Sequence, residues 1–177
     1  MGNSRGFSMV ELSMLLAITA ILAAVSIPML SSTMHSMQLA SDARSIGSTM
    51  SYAKLSATSQ LTQYRLTFSL SEKEWRLDKR NRDSGEFELQ QDVHGLSGGG
   101  SESCISFKSS SGTAPTGFPT ASSTTITFDS RGIPREGASI IYLTNGNENF
   151  AVSASLSGKI QVWKLMSGNE TSQWVAQ

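Results

Sequence analysis

Glu11 is the most demanding side chain in this sequence. It is the only charged residue between Arg5 and Asp42, and it stands at the head of a run, Met9–Leu30, built mostly of Leu, Ile, Val, Ala and Met. A carboxylate in such surroundings needs a counter-charge or a proton, and usually marks a partner or a task. Other groups with reactive potential are sparse. The two histidines, His35 and His94, sit in dissimilar settings, and Cys104 is the single cysteine. No His-Glu-x-x-His, no paired cysteines and no dense His/Asp/Glu cluster points to a metal. Gly98-Gly99-Gly100 lacks the Lys-Ser/Thr of a phosphate loop and reads as linker. We therefore expect no enzyme, no metal and no cofactor. Cys104 cannot close an internal disulfide and is expected to be a small buried apolar residue.

The element that must position Glu11 is the apolar run itself. As a helix, Met9–Leu30 would be about 33 Å long, enough to cross a hydrocarbon core of roughly 30 Å. A cleaved secretory signal would have a shorter apolar stretch and a more basic start. A plain uncleaved anchor fits the length but leaves Glu11 without a role, beyond snorkelling to the membrane surface. Pro28 lacks an N–H and its ring clashes with the carbonyl of Ala24, so we expect a kink within one long helix; the alternative is that Pro28 ends the span.

Arg5-Gly6-Phe7-Ser8-Met9-Val10-Glu11, followed directly by the apolar run and by Pro28, resembles the processing motif of type IV prepilins and pseudopilins. That resemblance implies cleavage by prepilin peptidase between Gly6 and Phe7, loss of Met1–Gly6, methylation of the new amine on Phe7, and an assembly role for Glu11. The new ammonium would lie four residues from Glu11, about one helical turn. The family implies that Glu11 pairs with the N-terminus of an adjacent subunit and so sets axial register.

Beyond Leu30, Leu39, Ala43, Ile46, Met50, Ala53 and Ala57 recur at spacings of four and three, which puts one apolar stripe on a polar helix from Ser31 to about Thr58. Such a stripe wants a sheet to lie against. Alternation then predicts strands at Gln63–Ser69, Glu74–Asp78, Glu86–Val93 and Cys104–Lys108, with a hairpin turn at Leu70–Lys73. Leu96–Glu102 and the Ser/Thr/Gly/Pro-rich stretch Ser109–Ser123 read as loops, the second long enough to be mobile or to cover something. Four more strands are expected at Thr124–Phe128, Ser139–Thr144, Phe150–Ser155 and Ile160–Lys164.

Phe128-Asp129-Ser130-Arg131-Gly132, an apolar strand, and a strand closing on Ser157-Gly158-Lys159 are similar to the C-terminal domain of H-type (GspH/FimT-like) pseudopilins and minor pilins. The two resemblances imply an α+β fold, with a long N-terminal helix packed against antiparallel β-sheet. The expected organisation is a leader at 1–6, a transmembrane helix at 7–30, its amphipathic continuation at 31–60, and a β-rich globular domain at 61–177. The implied role is a minor subunit of a type II secretion pseudopilus or a type IV pilus. It would sit in the cytoplasmic (inner) membrane as a single pass, with its globular domain periplasmic. Implied partners are prepilin peptidase, other pilin or pseudopilin subunits, the inner-membrane assembly platform and membrane lipid.

A DNA-binding minor pilin for natural transformation is the alternative, with Arg131, Arg135 and Lys159 as candidate contacts. Fourteen Lys and Arg balance fourteen Asp and Glu, for a formal charge of +0, so no broad pull toward nucleic acid exists. A second basic group, Arg76, Lys79, Arg80 and Arg82, is offset by Asp78, Asp83, Glu86 and Glu88, and reads as a solvated turn. Some H-type minor pilins carry Gly-Arg-x-Arg near the C-terminus; here Gly158-Lys159-Ile160-Gln161 stands instead.

Overall fold

The computed structural model describes residues 8–97, 104–167 and 172–177, with the backbone alone for 25–32, 167 and 172. Gly6, Phe7 and the Gly98–Gly100 run lie outside the described residues. The chain falls into two compact units, Met1–His35 and Ser36–Gln177. One helix, α1 (Met9–Ser59), supplies the described structure of the first unit and enters the second.

The helix opens with the amide of Leu12 on the carbonyl of Ser8 at 3.1 Å. Several of its hydroxyls bond back onto the helix: Ser13 donates to the carbonyl of Val10, Thr19 to Leu16, Ser48 to Ser45 and Ser51 to Gly47. It ends where Leu61 turns to φ 50°, with the Thr62 amide reaching back to the Ala57 carbonyl at 3.2 Å. This is a Schellman closure with leucine where glycine is usual, at a cost of about 1 kcal/mol. Pro28 lies inside α1, so it does not end the helix; the expected bend falls on residues whose side chains lie outside those described. Among the described residues, no helix is long and apolar enough to cross a membrane.

The second unit carries two antiparallel sheets. The first has the order β3 (Phe87–Leu89), β2 (Glu74–Arg80), β1 (Tyr64–Ser69), β6 (Thr125–Phe128), with β4 (His94–Gly95) also on β2. The second has the order β10 (Ser172–Ala176), β9 (Ile160–Ser167), β8 (Asn149–Ala154), β7 (Ser139–Thr144), β5 (Ser106–Lys108). On β1, Tyr64, Leu66 and Phe68 turn inward beside Leu77 and Trp75 of β2, while Arg65, Thr67 and Ser69 turn out. The helix stripe Leu39, Ala43, Ile46, Met50, Ala53 and Ala57 is wholly buried in one core with Ile126, Phe128, Ile141, Leu143 and Val152. The expected α+β architecture is the observed one.

Several expectations need correction. The strand expected at Glu86–Val93 stops at Leu89, because the chain turns away there and returns to β2 only as the two-residue β4. The last expected strand runs on to Ser167 and pairs with β10, which the sequence pattern did not announce. Cys104 is exposed rather than buried; its neighbour Ile105 takes the core position. The loop Ser109–Ser123 is fastened down. It covers the outward face of the second sheet, where Phe118 packs with Ile140, Tyr142, Trp163 and Trp174. The Tyr142 hydroxyl donates to the Pro119 carbonyl at 2.8 Å, and burial pushes that phenol up to about 12.

Candidate functional site

Two regions hold the residues singled out from the sequence. The first is the start of α1. Glu11 sits in its opening turn and is exposed. Around it Met9, Val10, Leu12, Met14, Leu15, Leu16, Ile18, Ile21 and Leu22 are all exposed large apolar side chains. They occupy every side of the helix, since consecutive positions are represented, so no single stripe faces a core. The hydroxyls of Ser13 and Thr19 are turned back onto helix carbonyls, which suits an apolar environment. Chemically this is a surface for packing against other apolar helices, with one carboxylate able to accept a cation. Gly6 and Phe7 lie outside the described residues.

The second region is where the loops after β6 and β8 meet over α1. Gly132 (φ 77°) and Gly158 (φ 74°) touch backbone to backbone: a Cβ placed on Gly158 would come within 2.4 Å of the Gly132 carbonyl oxygen. The Lys54 ammonium of α1 donates to the Gly158 carbonyl at 2.9 Å, and a Cβ on Gly132 would meet Lys54 and Thr58 at 3.0 Å. Thus Phe128–Gly132 and Ser157–Lys159, which looked like one motif in the sequence, form one clasp on the helix. Lys54 is a part of it that sequence reading missed, because its bond is made only when a residue 104 positions away folds onto the helix.

The three candidate cations have different fates. Arg131 pairs with Asp129 at 3.1 Å. Burial would raise the Asp129 carboxyl, but the amides of Ile133 and Arg131 and the Arg131 guanidinium outweigh it and hold it below its usual range. Arg135 instead donates to the side-chain oxygen of Gln63 at 3.2 Å. Lys159 is exposed and lines a shallow groove with Arg44, Gly47 and Val162. Of the other basic group, Arg76 pairs with Asp78 at 3.5 Å, Arg80 donates to Gln63 at 3.3 Å, and Arg82 donates to the carbonyls of Gln60 and Leu61 at the helix end. His94 is stacked on Trp75 with ring centroids 5.6 Å apart, and His35 is half-buried on α1.

Two further polar links were not legible in the sequence. Asp42, buried on α1, accepts the Ser97 amide at 2.8 Å and its hydroxyl at 2.5 Å; burial raises its pKa against these two bonds. Glu148 accepts Lys164 at 2.7 Å and the hydroxyl of Ser36, and these bonds hold its carboxyl below the usual range.

Neither a protein-family model nor a curated protein matches the sequence. Solved structures do. The chain is similar to the type IV minor pilin FimU of Pseudomonas aeruginosa strain PAO1, with a TM-score of 0.50 at 18% identity, over 76% of this chain and 92% of that one. It is also similar to EpsH, the minor pseudopilin from the type 2 secretion system of Vibrio cholerae, with a TM-score of 0.52 at 11% identity, over 71% of this chain and 95% of that one. At these identities the likeness establishes the fold, which is that of the type IV pilin-like minor pilins and pseudopilins.

Proposed function

We propose that the chain is a minor subunit of a pilin-like helical filament, either a type II secretion pseudopilus or a type IV pilus. One observation carries the reading. On this fold, the start of α1 presents exposed apolar side chains from Met9 to Leu22 on every side of the helix, with one carboxylate, Glu11, among them. In this reading residues 7–30 anchor the protein once through the cytoplasmic membrane, and the body from Ser36 onward lies on the periplasmic side. Prepilin peptidase removes Met1–Gly6, the amine of Phe7 is methylated, and the assembly platform feeds the helix into the filament. Glu11 then takes the N-terminal ammonium of a neighbouring subunit as its counter-charge, which offsets the cost of a carboxylate in lipid. Helix packing supplies the affinity, and a head-to-tail interface that does not close grows a filament. The chain's role is structural rather than catalytic.

A DNA-binding role gains less from the geometry. Arg131 is neutralised by Asp129, Arg135 is turned to Gln63, and the net charge is +0.

The mass of the N-terminal peptide from native membranes tests the proposal. We expect it to begin at a methylated Phe7; a chain beginning at Met1 overturns the reading. Glu11→Ala is expected to leave membrane insertion normal and abolish incorporation into filaments, scored by co-purification with sheared filaments. Unchanged incorporation would remove Glu11 from the mechanism.

A further inference from the structure

The outward face of the first sheet holds two pairs of arginines that are treated differently. Arg65 and Arg76 converge on the buried carboxylate of Asp78, at 3.3 and 3.5 Å. One row along, Arg80 and Arg135 converge on a single oxygen as well, at 3.3 and 3.2 Å, but that oxygen belongs to the neutral amide of Gln63. Among the described residues neither Arg80 nor Arg135 forms an ion pair. Two guanidinium groups that share one amide oxygen repel each other, and the amide dipole cannot neutralise them. The helix C-terminus accounts for Arg82, whose guanidinium caps the carbonyls of Gln60 and Leu61, and the Arg80 Nε donates to the Gly85 carbonyl at 3.0 Å, but neither contact supplies the pair with a negative charge. Beside Gln63 and Arg80 lies an open cleft of about 350 Å³, lined also by Leu61, Thr62, Arg82 and Ser130.

We propose that Arg80 and Arg135 form a carboxylate-binding site for an acidic side chain of a neighbouring subunit. The identity of the partner as a filament subunit rests on the function proposed above. The planar guanidinium fork matches a carboxylate, and here two forks are already held together by Gln63 with no counter-ion among the described residues. A protein carboxylate fits better than a nucleic-acid backbone. The exposed acids Asp83, Glu86 and Glu88 follow on the same hairpin, and Glu88 lines the adjoining cleft, so an extended phosphate chain would run against like charge. The sequence treated these cations as two groups, because only the pairing of Gln63 with both brings them together.

The test uses the full chain in detergent micelles and a fluorescein-labelled peptide carrying a single glutamate in a neutral Gly/Ser frame at low salt, with a thymidine hexanucleotide as competitor. We expect the peptide to bind, the double variant Arg80→Gln/Arg135→Gln to weaken it about tenfold or more, and Arg135→Gln, which spares the Arg80 bond to the Gly85 carbonyl, to leave the Tm unchanged. Gln63→Glu would supply the missing carboxylate from within, as Asp78 does for the neighbouring pair. That variant should raise the Tm and abolish peptide binding, whereas Lys108→Gln should change neither. Absent peptide binding, binding indifferent to the double variant, or tighter binding of the oligonucleotide would each overturn the site. A lower Tm in Arg135→Gln would also overturn it, by making the pair a structural support. The pilin reading is judged separately, by whether the chain is trimmed to Phe7.

Discussion

One helix shows two ways of being apolar. Over Met9–Leu22 its large side chains face outward on every side: Met9 is 90% exposed and Leu15 is 52% exposed. From Leu39 to Ala57 one stripe, Leu39, Ala43, Ile46, Met50, Ala53 and Ala57, is at 0% throughout, and only Tyr52 and Leu55 among the large apolar side chains of that stretch turn outward. The backbone conformation is the same in both stretches, so the difference lies in where the complementary surface comes from. The later stretch finds it in its own sheets. The earlier one is exposed among the described residues, and apolarity around the full circumference is useful only if lipid or other helices supply the surroundings. The comparison would break if both stretches responded alike to truncation. Met50→Ala should cost about 3 kcal/mol of stability, through lost burial and a residual cavity, with a lower midpoint in urea at unchanged slope. Leu15→Ala should leave that midpoint within about 0.5 kcal/mol and reduce filament incorporation instead. An equal loss of midpoint in both would mean that the first stretch is part of the folded body.

The stripe was readable because its period is local: Leu39, Ala43, Ile46 and Met50 declare one face whatever they pack on. The inward triplet Tyr64, Leu66 and Phe68 was readable for the same reason. Strand β10 was not. Val175 and Gln173 are exposed and Trp174 is half-buried, so alternation is weak, and its existence depends on pairing with Leu165 and Lys164 of β9. The Ser109–Ser123 loop hid its anchors in a composition that signals mobility. Its order comes from Phe118 and from bonds to distant groups, such as the Ser122 hydroxyl accepting the Tyr142 amide at 3.1 Å. Glu11 was legible as an anomaly from its type and position, whereas the shared Gln63 required two strands and a loop to meet. Function that sits on one helix can be read from one segment; function assembled across elements cannot.

The buried half of the helix is held by more than its stripe, and that sharpens the contrast with the exposed half. The Gly132–Gly158 crossing and the Lys54 ammonium tie two loops to α1. Gly158→Ala would put a methyl 2.4 Å from the Gly132 oxygen, on a residue at φ 74°. Backbone, not a flexible side chain, would have to yield. A loss of about 2 kcal/mol is expected from the φ penalty and the forced separation. Lys54→Met should then add little in the Gly158→Ala background, because the carbonyl it bonds has already moved. Additive losses in a double-mutant cycle would show the two to be independent.

The smallest effect belongs to the end of the buried stretch, where Ser36 and Lys164 both donate to Glu148. These bonds lower the Glu148 pKa from 4.5, so they stabilise the fold above that value and the contribution fades as the pH falls through the lowered one. Asp42 acts in the opposite sense. Burial raises its pKa from 3.8, so the fold gains as the pH drops toward that value. The two contributions overlap in wild type, which is why the comparison needs Glu148→Gln. Both side chains of the Glu148–Lys164 pair are nearly a third exposed, at 29% and 28%, so solvent screening holds the expected loss at neutral pH to less than about 1 kcal/mol. The stability curves of wild type and variant should converge once the pH has fallen below the lowered Glu148 pKa, where Glu148 is protonated both folded and unfolded. A gap that persists there would assign the effect to packing at the helix end, and would make Ser36 the last residue of the buried stretch by shape rather than by charge.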